Sequence, residues 1–294
     1  VKTPFEYLRP GSVREAVEML TVHGPGTRYL AGGTDLYLDW KNGSALERCI
    51  DISHLRELDY LHVVDGVLHI GGLTSLRSLE HSTATDYASR ALACLARAMC
   101  TPQTRTLATV GGNLCNASPA ADLAPLLLCL DAEIAVVGRD GPRTLPIVDL
   151  WSGPKTTTLD PSELVVEVRV GLHPRSAVAV RRATRTALDI ALVIVAVLVS
   201  TDDGGVIDTA RVGLGSVAPF PLRAPEAEAV LLGLRPSDAD SQVLLDVATQ
   251  AAGCASPIDD LRTSAAYRSN AIGTLTSRAA QEALVQLAEG EGSR

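Results

Sequence analysis

The sequence predicts an α+β protein of two domains, and three observations carry that reading. The 294 residues are enough to bury two cores, and 46% hydrophobic against 20% charged residues is a globular rather than a disordered balance. Helical periodicity and short apolar strands interleave through residues 1–175, whereas 176–294 open on extended apolar runs and close on helices. Between them, 171–177 contains Gly171 and Pro174 and reads as the passage from one domain to the next.

Taken in order, residues 12–23 form a helix: Ser12 caps it, Glu15 holds the capping-box position, and Val13, Ala16, Val17 and Leu20 share a face. Gly24-Pro25-Gly26 stops it, a strand over 27–31 runs into Gly32-Gly33, and a second strand covers 49–52, which closes a first lobe near residue 55. Asp65-Gly66 between apolar runs makes 63–70 a hairpin. A helical stretch follows Gly71-Gly72, a longer helix spans 87–99 and ends ahead of Pro102, and another helix covers 122–130. Strands follow at 133–137 and 163–170, with 143–150 extended. In the second domain, 187–199 is largely apolar and fits either a helix or a buried strand; 207–214 is a strand, and 224–232, 241–252 and 270–288 are helices.

Several functions are excluded early. A net charge of −8 with no clustered basic face argues against nucleic-acid binding, the one basic cluster being Arg181, Arg182 and Arg185. The longest apolar run, 190–199, is too short to cross a bilayer, and VKTPFEYLRP lacks the pattern of a secretory signal, so a cytoplasmic protein is expected. The six cysteines (49, 94, 100, 115, 129, 254) and six histidines (23, 54, 62, 69, 81, 173) show no metal-ligand spacing, and no metal site is expected.

Chemistry concentrates in two segments of similar wording. In the first, a strand ends on Ala31, Gly32, Gly33, Thr34, Asp35 and Leu36, where glycines let bare N–H groups approach an anion and a hydroxyl adds a donor. The second repeats this with Thr109, Val110, Gly111, Gly112 and Asn113 and runs on through Asn116 to Asp122 at a helix start. Read as paired diglycine turns, the two would grip a dinucleotide; read blandly, they are unrelated tight turns with Asp122 as a cap. A third glycine motif, Gly213-Leu214-Gly215-Ser216-Val217-Ala218, matches the dinucleotide fingerprint in letters, but Pro219 and Pro221 follow where that fingerprint needs a helix.

AGGTDL (31–36) together with TVGGNLCNASPAAD (109–122) resembles the FAD-binding medium subunits of the molybdenum hydroxylases, the group of carbon monoxide dehydrogenase, xanthine dehydrogenase and 4-hydroxybenzoyl-CoA reductase. The likeness extends over FEYLRPGSVREAVEML, DISHLREL, IGGLTSLRSLEHS, DPSELVVEV, LDIALV and VGLGSVAPFPLR, nearly the whole chain. It implies a two-lobed FAD-binding domain of the vanillyl-alcohol-oxidase-like (PCMH) type, lobes 1–55 and 56–175, with a C-terminal α+β domain over 176–294. It further implies that the two segments hold the pyrophosphate, that Asn116 and Asp122 serve ribityl or ribose hydroxyls, and that Leu159 and Arg181 approach the flavin, Val180 standing where some relatives place Tyr. The reductase branch carries an inserted cysteine-rich loop for a [4Fe–4S] cluster; here Cys115 is followed only by Cys129 and Cys254, so none is expected.

The resemblance thus implies an FAD-dependent oxidoreductase subunit with non-covalent flavin, relaying electrons within a heterotrimer that itself dimerises. Its partners are an iron–sulfur small subunit carrying [2Fe–2S] clusters and a molybdopterin large subunit, and the acceptor is NAD, a quinone or dioxygen. No candidate catalytic triad or carboxylate pair is found in the sequence, which suits a relay. Two other readings stand beside it: a flavin-free binding or scaffold subunit of the same fold, and a stand-alone flavin oxidase.

Overall fold

A computed structural model describes residues 4–292. The first lobe alternates strand and helix: β1 (Glu6–Leu8), α1 (Val13–His23), β2 (Thr27–Leu30), α2 (Leu36–Lys41) and β3 (Arg48–Asp51). Its sheet is parallel in the order β1-β3-β2. Helix α1 forms as its sequence dictates, with Ser12 Oγ accepting from Glu15 N at 3.2 Å and Ala16, Val17 and Leu20 buried against the sheet. Gly24, at φ +62°, turns the chain out of the helix.

The second lobe runs β4 (Leu61–Val64), β5 (Val67–Gly71), α3 (Leu76–Glu80), α4 (Tyr87–Ala98), α5 (Pro102–Leu107), α6 (Val110–Cys115), α7 (Leu123–Cys129), β6 (Glu133–Gly138), β7 (Gly141–Pro146), the small hairpin β8 (Trp151–Gly153) and β9 (Thr156–Thr157), and β10 (Leu164–Gly171). The five long strands form an antiparallel sheet in the order β4-β5-β10-β6-β7. The β4/β5 hairpin turns on Asp65 (φ +50°) and Gly66 (φ +75°), the two positive dihedrals that a two-residue hairpin of this hand requires.

The C-terminal unit contains β11 (Ser176–Ala183), β12 (Val193–Thr201), β13 (Ile207–Gly215), β14 (Leu222–Arg223), α8 (Pro225–Leu231), α9 (Ser241–Gly253) and α10 (Ala265–Gly292). Its sheet is antiparallel in strand sequence order. The open stretch 187–199 resolves as a turn followed by strand from Val193: every residue of β12 is buried, because helices α8 to α10 cover one face and α7 the other. All seven residues of α7 are buried, as a helix that is apolar on every side must be. Gly213 and Gly215 make this packing possible, since a Cβ on Gly213 would lie 2.2 Å from Pro125 O and one on Gly215 2.7 Å from Pro125 Cγ. That is their use; no helix follows them until Pro225, so the fingerprint lettering has no fingerprint geometry. The result is two lobes, each with its own sheet, followed by an α+β unit.

Candidate cofactor site

The first diglycine segment is set by the end of β2. Leu30 O accepts Ile52 N at 3.0 Å, after which Gly33 takes φ +70° and the chain turns into α2, with Tyr37 N bonding Gly33 O at 3.0 Å. Gly32 is where the two predicted segments meet: a Cβ there would lie 1.7 Å from Leu107 O and 3.1 Å from Ala108 N, immediately before Thr109. Among the described residues, no acceptor exists for the N–H groups of Gly32, Gly33, Thr34, Asp35 or Leu36. Five successive amides without a protein acceptor at a glycine bend are donors of the kind that can hold phosphate oxygens.

The second segment differs from the sequence reading. Gly111-Gly112 is not a turn but the first part of helix α6, capped by Thr109, whose Oγ1 accepts Gly112 N at 3.1 Å. Val110 N donates to Thr74 O at 3.0 Å, Gly111 N to Gly72 O at 2.9 Å and Asn113 N to Thr109 O at 2.9 Å, so these amides are engaged inside the fold. The glycines serve close approach: a Cβ on Gly111 would sit 2.7 Å from Gly72 O, and one on Gly72 would sit 2.4 Å from Val165 O. Gly71-Gly72, which carries no site role in the sequence analysis, therefore braces α6 against β10. A buried ion pair fixes the approach: Arg105, 5% exposed, bonds Glu80 at 2.9 Å and the carbonyls of Met99 and Cys100 at 2.8 and 3.0 Å. What α6 leaves available is Asn113, whose Oδ1 is buried and has no partner.

The remaining predicted residues are divided. Asn116 Oδ1 accepts Lys155 Nζ at 2.6 Å. Asp122 is held by Arg182 through two bonds of 3.0 and 3.2 Å; burial pushes its carboxyl up, and the guanidinium offsets only part of that. Leu159 packs half-buried on the main core. On β11, Val178 and Val180 pack on the core beneath α4 and α7 and Arg182 reaches Asp122, whereas Ala177 and Ala179 pack toward α10. Strand alternation puts Arg181 with the latter, where it pairs with Glu282 of α10. Arg182 is the arginine on the cofactor-domain side, donating also to Asp189 O at 3.1 Å. The signal that could have found it is the alternation of 176–183, hidden because that strand lies just after Pro174.

Two lobes meeting at an amide array, with an α+β unit packed behind, define a dinucleotide-binding flavoprotein of the two-lobed class. More particularly, the chain belongs to the molybdopterin-dehydrogenase flavoprotein family: residues 3–172 match the FAD binding domain in molybdopterin dehydrogenase, and 178–283 match the CO dehydrogenase flavoprotein C-terminal domain. It is 31% identical over 284 residues to the carbon monoxide dehydrogenase medium chain of Afipia carboxidovorans, covering 95% of this chain and 96% of that one. It is also 31% identical over 288 residues to a xanthine dehydrogenase FAD-binding subunit of Escherichia coli, covering 95% of each. A chain of the carbon monoxide dehydrogenase from Hydrogenophaga pseudoflava superposes with a TM-score of 0.92 at 30% identity, over 98% of this chain and 99% of that one. The protein is therefore an FAD-dependent oxidoreductase subunit of the molybdenum hydroxylase type. Among the described residues, no helix is long and apolar enough to cross a membrane.

Proposed function

We propose that this chain is the electron relay of a cytoplasmic heterotrimer, itself dimerised, in which a molybdopterin subunit oxidises substrate and an iron–sulfur subunit delivers the electrons. When bound, FAD supplies a ring able to accept and release one or two electrons, and NAD, a quinone or dioxygen is the external acceptor. The observation that carries this is the run of amides from Gly32 to Leu36 without a protein acceptor, seated against the Leu107–Ala108 backbone that leads into α6. Those amides, with Ala31 shaping the turn and Thr34 adding a hydroxyl, would hold the diphosphate.

Thr109, Val110, Gly111 and Gly112 would act by fixing α6, and Asn113 would offer its amide to a cofactor donor. Asn116 and Asp122 would border the site through Lys155 and Arg182, with Leu159 an apolar wall. A division into 1–175, with lobes 1–55 and 56–175, and 176–294 is supported by the change of sheet between Gly171 and Ser176.

The purified chain should be yellow and release its flavin into the supernatant on acid precipitation. Co-expressed with iron–sulfur and molybdopterin chains, it should purify as a complex whose flavin bleaches on addition of the large subunit's substrate. A colourless chain unchanged by added FAD would leave the scaffold reading in its place, and flavin that stays with the acid pellet would favour the stand-alone oxidase.

A further inference from the structure

A groove of about 1240 Å³ lies away from the amide array, between α4, the whole of β11 and the C-terminal half of α10. Its lining contains none of the residues from Ala31 to Leu36 or from Thr109 to Asn113. Strand β11 is an edge of its sheet. The bond from Thr201 N to Arg175 O at 3.1 Å, with the regular pairing from Ser176↔Ser200 to Ala183↔Val193, makes the odd-numbered residues those that bond β12. Ser176, Val178, Val180 and Arg182 therefore turn their N–H and C=O groups toward the groove. Of these, Val180 O receives Arg181 Nη1 at 3.3 Å; among the described residues the four N–H groups have no acceptor.

Natural sheet edges are normally blunted by proline, lysine, a bulge or a short strand. This one is eight residues long, has none of the first two and pairs without a register shift. The walls formed by α4 and α10 keep a second copy's β11, which carries the same walls, from joining edge to edge. An isolated extended segment can enter. The charge selects its character: four arginines (Arg90, Arg175, Arg181, Arg182) line the groove against Asp86, Glu282 and Glu289, in a chain of net charge −8. Arg181 and Arg182 pair with Glu282 and Asp122 and Arg175 with the exposed Asp203, while Arg90 has no acidic partner among the described residues.

We propose that β11 accepts an extended acidic segment of a partner polypeptide as an added strand, the main chain bonding to Ser176, Val178, Val180 and Arg182 and a carboxylate meeting Arg90. The proposal rests on the multi-subunit reading above. Its test compares amide hydrogen exchange in the full-length chain alone and in the complex with its co-expressed iron–sulfur and molybdopterin chains. The four outward amides should exchange at least about tenfold more slowly in the complex. Ser176→Pro, which removes one outward donor, and Arg90→Glu should each weaken assembly about tenfold while flavin content stays unchanged. A complex that forms with these amides exchanging at the free-chain rate, or with Arg90→Glu assembling like wild type, overturns the added strand and leaves the multi-subunit reading standing. A flavin-loaded chain that forms no complex sinks both.

Discussion

Gly32 offers the most direct handle on the cofactor site. Its dihedrals are not in the left-handed region, so alanine there is limited by space alone: the new Cβ would stand 1.7 Å from Leu107 O, where contacts under 3.0 Å essentially never occur. The difference, 3.0 − 1.7 = 1.3 Å, must be taken up by backbone on one side or the other. Overpacking of this kind costs about 1–3 kcal/mol. The same displacement pulls the free amides of residues 32–36 away from α6. Loss of one or two charge-assisted hydrogen bonds, each about 1.5–3 kcal/mol, corresponds to roughly ten- to several-hundred-fold weaker FAD binding or more. Gly32→Ala should therefore lower the urea midpoint and, in flavin fluorescence-quenching titrations of the apoprotein, raise Kd by at least about tenfold. Gly171→Ala is the control, since its Cβ would meet nothing within 4 Å and its φ is ordinary; it should leave both quantities unchanged or slightly improved. Wild-type FAD affinity in Gly32→Ala, or an equal loss in Gly171→Ala, would refute the contact between the two segments.

Three other outcomes follow from the same geometry. Thr109→Ala removes the cap of α6 and should cost about 1 kcal/mol in urea unfolding, with no change in m-value. Asp122→Asn leaves the 10%-exposed Arg182 side chain without its counter-ion and should destabilise by about 3 kcal/mol, and adding Arg182→Met should recover part of that loss in a double-mutant cycle. Burial pushes the Glu167 carboxyl up, but hydrogen bonds from His69, Arg169 and Tyr60 outweigh it and hold it below the ordinary range. Its stabilisation is thus full above about pH 4.3, the unfolded value, and is lost as pH falls through the lower folded one. Glu167→Gln should flatten the acid limb of Tm against pH below about 4 while shifting the neutral plateau down.

What could be read in the sequence was whatever is decided locally. The helix capped by Ser12 and the Asp65-Gly66 hairpin depend on residues within a few positions of one another, and both form as read. The stretch 187–199 stayed ambiguous because a strand covered on both faces loses the alternation that would identify it. The three-residue β1 exists through pairing with β3, a partner distant in sequence, and its own letters carry little signal, while the alternation of β11 is masked by its place just after Pro174. Without a strand over Ser176–Ala183, the neighbouring Arg181 and Arg182 look equivalent, and with it they face opposite layers.

The glycine pairs show how one sequence signal divides into two physical roles. What separates them is the destination of the N–H. At Gly111 the amide is engaged by Gly72 O and the missing side chain lets α6 lie against β10 through Gly72. At Gly32 the missing side chain also admits a neighbour, Leu107 O, and at Gly33 it permits a positive φ, yet the amides of both have no protein acceptor. Both roles are needed for one site, because an amide array selects an anion only if it is held still. The packing glycines and the Glu80–Arg105 pair hold the Leu107–Ala108 backbone, that backbone defines one wall against Gly32, and the donors from Gly32 to Leu36 remain over. Under the proposed function the first segment would supply the diphosphate donors and the packing glycines of the second their rigidity, so damage to Gly111 or Gly112 should reach the cofactor through Leu107, and damage to Asn113 directly.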